Sequence, residues 1–303
     1  MSILVVGSVA FDSIKTPFGE VDDVLGGSAC YFSTSASFFT DVSLVAVIGD
    51  DFPQEHIDFL SSREIDLAGL QRSAGKTFRW KGRYDYDLNE AHTLETHLNV
   101  FETFKPEIPA AYRDAEYVFL ANIDPELQLD VLSQVKNPKL VACDTMNFWI
   151  SGKREKLIRT LEDVDILVIN EAEVRQLAEE PNLVKAAEIV RGFGPRILVV
   201  KRGEYGVLMF GEGSIFSAPA YPLDEVFDPT GAGDTFAGGF IGYLAATRNL
   251  DEHNLRKAIV FGTVMASFTV EKFSLERLKE IDYNDISDRY KKIKLLTDFA
   301  DLD

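Results

Sequence analysis

Residues 226–236, with the sequence VFDPTGAGDTF, combine a turn, a loop of small residues and a carboxylate. Pro229 fixes its own φ angle at the start of a turn, and Gly231 and Gly233 can adopt backbone conformations that other residues avoid. Several backbone N–H groups of this loop can therefore point in one direction, which is an arrangement that binds anions. The apolar residues 236–244 are predicted to form a buried helix, whose partially positive N-terminus would face the same anion.

Asp234 is the unusual residue of this stretch, because it places a negative charge beside the predicted anion site. A carboxylate in the first turn of a helix is stabilised by the helix dipole, so capping alone is one interpretation. In the other, Asp234 accepts a proton from a hydroxyl while the amides of Gly231, Ala232 and Gly233 hold the charge of a phosphoryl group in transfer. The adjacency of a base and an anion site favours the second interpretation.

Residues 228–236, DPTGAGDTF, resemble the signature of the ribokinase-like (PfkB) carbohydrate and nucleoside kinases. The resemblance implies a kinase that transfers the γ-phosphate of ATP, with Mg²⁺, to a hydroxyl of a sugar or sugar-like polyol, with Asp234 as the base. It implies a doubly wound α/β fold, in which helices flank a mostly parallel sheet and a small β-sheet forms a lid. As in some family members, oxygens of Asp228 and Thr230 would also hold a monovalent cation, K⁺.

The resemblance also assigns a substrate-binding region near the N-terminus. Asp12 follows the first predicted strand, and a fixed carboxylate there can accept hydrogen bonds from two hydroxyls of a polyol. Gly26 and Gly27 match a pair of glycines that forms a hinge and approaches the substrate in the family. Tyr31 stands where the family usually has an asparagine that binds sugar hydroxyls. This departure puts ordinary recognition of ribose or fructose in question and slightly favours a nucleoside.

Two further segments resemble the nucleotide-binding parts of the family. Asn170 and Glu173 match its Asn-x-x-Glu motif, which organises Mg²⁺, its waters and the nucleotide phosphates, although Asn170 is also a natural N-cap. Lys201, Gly203 and Gly206 resemble the turn that passes close to the nucleotide, where the lysine would neutralise phosphate charge. A β-hairpin turn and an exposed lysine at a strand end would explain the same three residues without a ligand.

Short apolar runs alternate with helix-like or loop segments along the chain, and this alternation predicts a parallel sheet buried on both faces. The predicted strands are residues 3–6, 42–48, 117–120, 140–143, 166–169 and 197–200. Ligands of such sheets collect beyond the carboxyl ends of the strands. We therefore expect the polar residues that follow four of these strands, Asn122, Asp144, Asn170 and Lys201, to share one crevice, although each alone could be a cap or turn residue.

Two segments break this alternation, residues 11–25 and 76–101, and we predict that they form the lid. The second segment alternates aromatic with charged residues, as expected of an antiparallel strand with one face in water. On one strand the aromatics Phe78, Trp80, Tyr84 and Tyr86 would share a face. That face would cover either the substrate cleft or the lid of a second subunit, and it suggests a homodimer that also contributes to closure.

Length and composition fit one such enzyme, with residues 1–303 forming a single domain into which the lid is inserted. The chain has 31 basic and 49 acidic residues and a formal net charge of −18, which argues against nucleic acid or an anionic membrane as partner. No apolar run approaches about 18 residues and no secretory leader is apparent, so a cytoplasmic location is expected. Cys30 and Cys143 are expected to be buried thiols, and the four histidines show no zinc-ligand spacing.

Two alternatives to a sugar or polyol kinase are considered. A nucleoside kinase of the same family would differ only in its acceptor. A ligand-binding relative without catalysis belongs to a different class, and it would have no use for Asp234 beside an anion-binding loop. A dinucleotide-dependent dehydrogenase is set aside, because the first strand is not followed by the Gly-x-Gly-x-x-Gly loop that a pyrophosphate requires.

Overall fold

The computed structural model describes residues 2–89 and 91–298. Its strands are, in chain order, β1 (Ser2–Val6), β2 (Ala10–Thr16), β3 (Gly19–Gly26), β4 (Asp41–Ile48), β5 (Ile65–Arg72), β6 (Phe78–Tyr84), β7 (Ala91–His97), β8 (Tyr117–Leu120), β9 (Leu140–Asp144), β10 (Ile166–Asn170), β11 (Ile197–Lys201), β12 (Val207–Phe210) and β13 (Ile215–Ala218). Its α-helices are α1 (Ser28–Ala36), α2 (Gln54–Ser62), α3 (Pro125–Gln134), α4 (Asn147–Gly152), α5 (Arg154–Leu161), α6 (Glu171–Ala178), α7 (Leu183–Arg191), α8 (Ala232–Thr247), α9 (Glu252–Thr269), α10 (Glu276–Glu280) and α11 (Tyr283–Leu296).

The larger sheet has nine strands in the order β13-β12-β11-β10-β9-β8-β1-β4-β5. Seven neighbouring strands of this sheet are parallel, namely β5, β4, β1, β8, β9, β10 and β11. Strands β12 and β13 continue the sheet antiparallel at one edge. All six strands predicted from apolar runs are present, and the predicted α/β class is confirmed. The sequence analysis missed β5 and β13, because these edge strands are only partly buried and lack a continuous apolar run.

Helices cover both faces of this sheet. In β1, Ile3 and Val5 pack into one core with α1, α8 and α9, whereas Leu4 and Val6 pack into the other core with α3, α5, α6 and α7. Each fully buried side chain of this kind contributes about 1.5–3 kcal/mol relative to an exposed one. The sheet is thereby held rigidly between two layers, and the carboxyl ends of its strands are fixed relative to the start of α8.

Helix α8 begins at Ala232, directly after the glycine-rich loop, and most of its residues are buried. It packs closely on α1, because a side chain on Gly238 would overlap the carbonyl of Phe32. The predicted buried helix over residues 236–244 is therefore confirmed, with its start four residues earlier. This start places Asp234 in the first turn of α8.

The second sheet is the predicted lid, with strand order β3-β2-β6-β7. Strand β6 pairs antiparallel with β7 but parallel with β2, so the expectation of a purely antiparallel strand is wrong on one side. Strand β6 ends at Tyr84, and Tyr86 lies beyond it with 87% of its side chain exposed. Only Phe78, Trp80 and Tyr84 therefore share one strand face, and the prediction that Tyr86 joins them is wrong.

Cys30 and Cys143 are buried free thiols, as predicted. In the part of the chain that the structure describes, no helix has the length and apolar character needed to span a membrane.

Candidate active site

The carboxyl ends of β9, β10 and β11 and the first turn of α8 meet at one crevice. Lys201 is at its centre: its Nζ lies 3.1 Å from Asp144 Oδ2. On its other side the ammonium contacts the loop, because a Cβ on Gly233 would lie 2.7 Å from Lys201 Nζ. Burial works against the charge, but the carboxylates of Asp144, Glu173 and Asp234 raise the pKa of Lys201 above its usual value. Lys201 is therefore a charged, mostly buried side chain rather than an exposed lysine at a strand end.

Asp234 is partly buried beside this lysine. Burial raises the pKa of its carboxyl to about 7, and the charge of Asp144 adds to the rise while Lys201 opposes it. A carboxyl that titrates near neutral pH can accept a proton and release it again, which is what a general base requires. No side chain caps the first turn of α8. Asp234 therefore has the surroundings of a base.

The loop before Asp234 can offer backbone N–H groups to an anion, although one of the three predicted amides is used within the loop itself. Gly231 has a φ of 73°, a left-handed conformation that favours glycine. The Ala232 N–H donates to the Pro229 carbonyl at 3.1 Å, so this amide stabilises the turn. The amides of Gly231 and Gly233 remain at the start of α8, where N–H groups have no acceptor within the helix. An anion would therefore rely on these two amides, on the helix dipole and on Lys201.

Asn170 and Glu173 form a capping box at the start of α6. The Glu173 N–H donates to Asn170 Oδ1 at 2.8 Å, and the Asn170 N–H donates to Glu173 Oε2 at 3.0 Å. Asn170 is thus the N-cap of α6, as one interpretation of the sequence predicted. The capping box also holds the Glu173 carboxylate near Lys201. Glu173 is 9% exposed, and burial raises its pKa to about 7, against the influence of Lys201.

A magnesium ion fits these donors. Among residues 2–89 and 91–298, no group of three or more His, Cys, Asp or Glu side chains is arranged to hold a metal ion. Mg²⁺ commonly binds through one or two carboxylates together with waters and substrate phosphates, so Glu173, whose charge influences Lys201, is a suitable oxygen donor.

Gly203 and Gly206 lie in the turn that joins β11 to β12, with φ angles of 55° and 83°. A side chain on Gly206 would overlap the carbonyl of Ala218, so this glycine is explained by the hairpin itself. Gly203 faces the lid, because a Cβ there would lie 2.5 Å from Asn89 Oδ1. The sequence analysis missed Asn89, which lies after the end of β6 and has no local signature of a site residue.

The other end of the crevice is formed by the lid and the start of α1. Asp12, on β2, is 5% exposed and leaves no space for a side chain on Gly26. Gly27 has a φ of 93°, and a Cβ there would lie 2.5 Å from the carbonyl of Ser8. Burial raises the pKa of Asp12 to about 7, the Gly27 amide opposes this, and Asp228 and Asp234 add to it. The charge of Asp234 therefore influences Asp12, although the two residues are far apart in sequence.

Tyr31 packs under the anion loop. Its ring occupies the space that a side chain on Gly231 would need, and only 1% of the residue is exposed. Within the described residues its hydroxyl oxygen is buried and has no hydrogen-bond partner.

Tyr84 brings the lid onto the glycine-rich loop, which corresponds to the first of the two alternatives stated for the lid aromatics, coverage of the cleft. The Thr230 hydroxyl donates to the Tyr84 hydroxyl at 3.2 Å. The even spacing of Tyr84 from Trp80 places both rings on one face of β6, and Trp80 is paired in register with Asp12 on the cleft face. The lid aromatics Trp80 and Tyr84 therefore face the cleft of their own subunit.

Asp228 and Asn122 have structural partners. Asp228 is fully buried, and its carboxylate accepts from the amide of Thr230 at 2.9 Å and from that of Ser274 at 3.3 Å. Asn122 accepts from the indole N–H of Trp149 at 2.9 Å. Of the four polar residues expected in one crevice, the other three, Asp144, Asn170 and Lys201, lie around the site described above.

Known proteins resemble this chain over most of its length. A sequence model described as pfkB family carbohydrate kinase matches residues 2–280. A cytidine kinase from Thermococcus kodakarensis is 34% identical over 259 residues, which is 83% of this chain and 91% of the relative. The nucleoside kinase of Methanocaldococcus jannaschii has a TM-score of 0.76 at 21% identity, covering 96% of this chain and 98% of its own. A Burkholderia thailandensis nucleoside kinase in complex with inosine has a TM-score of 0.75 at 16% identity, with coverage of 96% and 98%.

Proposed function

Because the chain belongs to the pfkB family of carbohydrate kinases, its reaction is phosphoryl transfer to an alcohol group, and we propose that the acceptor is a hydroxyl of a nucleoside. The observation that supports the chemistry is Asp234, with its raised pKa, beside Lys201 and the loop at the start of α8. The nucleoside is supported by the cytidine kinase relative. A sugar or polyol is the second candidate, because the buried Asp12 carboxylate suits any vicinal diol.

In the proposed mechanism, Asp234 accepts the proton of the attacking substrate hydroxyl while the oxygen of that hydroxyl bonds to the γ-phosphorus of ATP. The bond from that phosphorus to the bridging oxygen breaks, and ADP leaves. Lys201 and the amides of Gly231 and Gly233 hold the charge of the transferring group, so that positioning and electrostatics supply most of the rate. Bound Mg²⁺ would neutralise phosphate charge, and Glu173 would hold it through a water.

The acceptor is tested with a panel of ribonucleosides, pentoses, hexoses and cyclic polyols, each incubated with Mg-ATP and scored for phosphorylated product rather than for ADP alone. We expect a ribonucleoside, with cytidine as the first probe, to give the highest kcat/KM. Product from sugars or polyols alone would replace the nucleoside by the second candidate. No product from any acceptor would support a ligand-binding relative without catalysis.

Glu173→Gln should raise the Mg²⁺ concentration needed for half-maximal activity and lower turnover. The amide oxygen of glutamine can still accept from the Asn170 N–H, so the capping box and the start of α6 should survive. The measurement is a Mg²⁺ titration at saturating ATP, with Glu171→Gln on the same helix as the control. An unchanged Mg²⁺ titration would remove Glu173 from the metal site.

A potassium site at Asp228 and Thr230 stays a prediction. Full burial of the Asp228 carboxylate favours a compensating cation, although two backbone amides already donate to it. Rates measured in K⁺ and in an equal concentration of tetramethylammonium would test the site.

A cytoplasmic location also stays a prediction.

Two variants test the two roles proposed for the lid: Trp80→Ala tests cleft closure, and Leu94→Ser tests a homodimer. Trp80 shares the face of Asp12, so its loss should raise the KM of the acceptor several-fold. Two apolar lid residues, Phe18 and Leu94, are 53% and 50% exposed, and they provide surface that a second copy could cover. Leu94→Ser should therefore weaken self-association, measured by light scattering, without changing KM. A monomeric wild type would contradict the dimer, and an unchanged KM in Trp80→Ala would contradict closure by this ring.

A further inference from the structure

We propose that Gln128, a buried glutamine of α3, is a positioning residue for phosphoryl transfer: its side-chain amide holds the end of β9 in place, and Asp144 on that strand end holds Lys201 at the anion loop. This inference rests on the proposed function, in which Lys201 holds the charge of the transferring group. It assigns a role to a residue that the sequence analysis did not single out.

The side-chain amide of Gln128 bridges two strand ends. The residue is 0% exposed, and its NH₂ group donates to the carbonyl of Ala121 at 2.9 Å and to that of Asp144 at 3.1 Å. The carbonyl of Leu120 lies 3.4 Å from the same nitrogen. On the other side, the amide oxygen accepts from the Cys143 thiol at 3.6 Å. Both ends of the amide therefore have partners, which fixes the orientation of the side chain.

This bridge lies where the ladder between β8 and β9 stops. The last registered pair is Leu120 with Cys143. Ala121 and Asp144 are the next residues of the two strands, and Gln128 joins their carbonyls through one NH₂ group. Both residues are buried. A carbonyl that loses this donor is therefore left unpaired in the interior, or the strand end must shift to find another donor.

Asp144 connects the bridge to Lys201. Its Oδ1 accepts from the Thr145 N–H at 2.7 Å, and its Oδ2 accepts from Lys201 Nζ at 3.1 Å. The lysine side chain is a flexible stem, so the position of its ammonium depends on its partners. A shift at the end of β9 would move the carboxylate, and with it the ammonium that contacts Gly233. A misplacement of about 1 Å in a reacting site can cost about 10²-fold in rate.

Helix α3 is a firm support for this bridge. Its first turn is capped by Asp124, whose carboxylate also accepts from Lys153 Nζ at 2.6 Å. The Thr160 hydroxyl, on α5, donates to the Pro125 carbonyl at 2.9 Å. The start of α3 is thus fixed by two further contacts, one turn before Gln128.

A second glutamine of α3 makes a bridge of the same chemistry at a different place. Gln134 donates to the Pro106 carbonyl at 2.9 Å and accepts from the Ile108 N–H at 3.0 Å. It joins the end of α3 to the segment before β8, and its two partners are not residues of the crevice described above. Gln134 is therefore the matched control for a bridge that is only structural.

Gln128→Met tests the inference, because methionine has a similar length and volume but no amide. With the best acceptor we expect kcat to fall about 10-fold or more. The KM of the acceptor should stay nearly unchanged, because Asp12 lies on β2. Gln134→Met should also lower Tm but keep the wild-type kcat. If Gln128→Met does not fold, Gln128→Asn takes its place, because asparagine keeps the amide and withdraws it by one methylene group.

The decisive measurement is the same substitution in a protein without the ion pair. In Lys201→Met/Asp144→Asn the pair is absent and no unpaired charge is left, so Gln128 has no ammonium to position. Adding Gln128→Met to this background should change kcat by less than about twofold, because residues that act through one another are not additive. A loss of stability should appear in both backgrounds, whereas the loss of rate should appear only where Lys201 is present.

The outcomes separate this inference from the proposed function. If the wild type is active but the Gln128 variant keeps its kcat, or loses the same factor with and without the ion pair, the role of Gln128 is refuted and the function stands. An equal loss of kcat in Gln134→Met would also refute it. If the wild type uses only sugars or polyols, the nucleoside is refuted and the test of Gln128 is unchanged, because Lys201 acts on the phosphoryl group. If no acceptor is phosphorylated, both proposals are overturned.

Discussion

Asp234→Asn should lower kcat by about 10²- to 10⁴-fold, the range for loss of a positioned base, with little change in nucleotide affinity. Asparagine has the same size and is as good at a helix start, so a merely structural role would leave turnover nearly intact. The measurements are steady-state kcat with the best acceptor and ATP affinity by calorimetry. Asp251→Asn, at the exposed N-cap of α9, is the matched control and should keep full activity. Normal turnover in a folded Asp234→Asn protein would contradict the assignment.

The same residue gives the enzyme a pH dependence. Asp234 must be ionised to act, and its pKa is about 7 instead of the usual value near 4. The kcat/KM of the wild type should therefore fall below pH 7, whereas an ordinary aspartate would lose activity only near pH 4. Asp12 also has a pKa of about 7, so kcat/KM should fall more steeply below pH 7 than the titration of a single group predicts. A flat profile between pH 5 and pH 8 would argue against a base with these surroundings.

The contribution of Asp234 to the free energy of unfolding should change with pH in the opposite direction to kcat/KM: it should fall as the pH rises. Because the folded-state pKa of Asp234 lies above its unfolded value, the folded protein holds a proton that the unfolded chain has released between about pH 4 and 7. This carboxylate therefore destabilises the substrate-free protein fully above pH 7 and not at all well below pH 4. Asp234→Asn resembles the protonated form, so we expect its Tm to exceed that of the wild type at pH 8 and the difference to shrink on acidification.

Lys201→Met is expected to have the second largest effect. Loss of a charged group that faces the developing phosphate charge should reduce kcat by about 10²- to 10³-fold. The variant should also be less stable by about 3–5 kcal/mol, because Asp144, whose side chain is only 6% exposed, would be left buried without its partner. Urea denaturation and steady-state kinetics measure the two losses separately.

The double variant Lys201→Met/Asp144→Asn separates the role of Lys201 in folding from its role in the reaction. Asparagine removes the unpaired charge and keeps an oxygen that can accept from the Thr145 amide, as Asp144 Oδ1 does at 2.7 Å. We expect it to recover much of the stability and none of the lost turnover. Recovery of both would mean that Lys201 serves only to neutralise Asp144.

The sequence by itself determined the parts of this protein that depend on neighbouring residues. A buried parallel strand needs a continuous apolar run, and each of the six predicted runs became a strand of the larger sheet. A left-handed turn before a helix needs a residue such as Gly231, and the capping box of Asn170 and Glu173 spans only four residues. Local signals of this kind also carried the resemblance to the kinase family.

Only the tertiary structure decided which side chains meet. Lys201 ends a strand and Gly233 opens a helix, and the contact between them depends on the order of strands in the sheet. Tyr84 reaches Thr230 across 146 residues of sequence because β6 pairs parallel with β2 and faces the cleft. The unpaired hydroxyl of Tyr31 is visible only once α1 is packed beneath the anion loop. Periodicity and turn chemistry are encoded in adjacent residues, whereas these contacts arise from packing between elements that are distant along the chain.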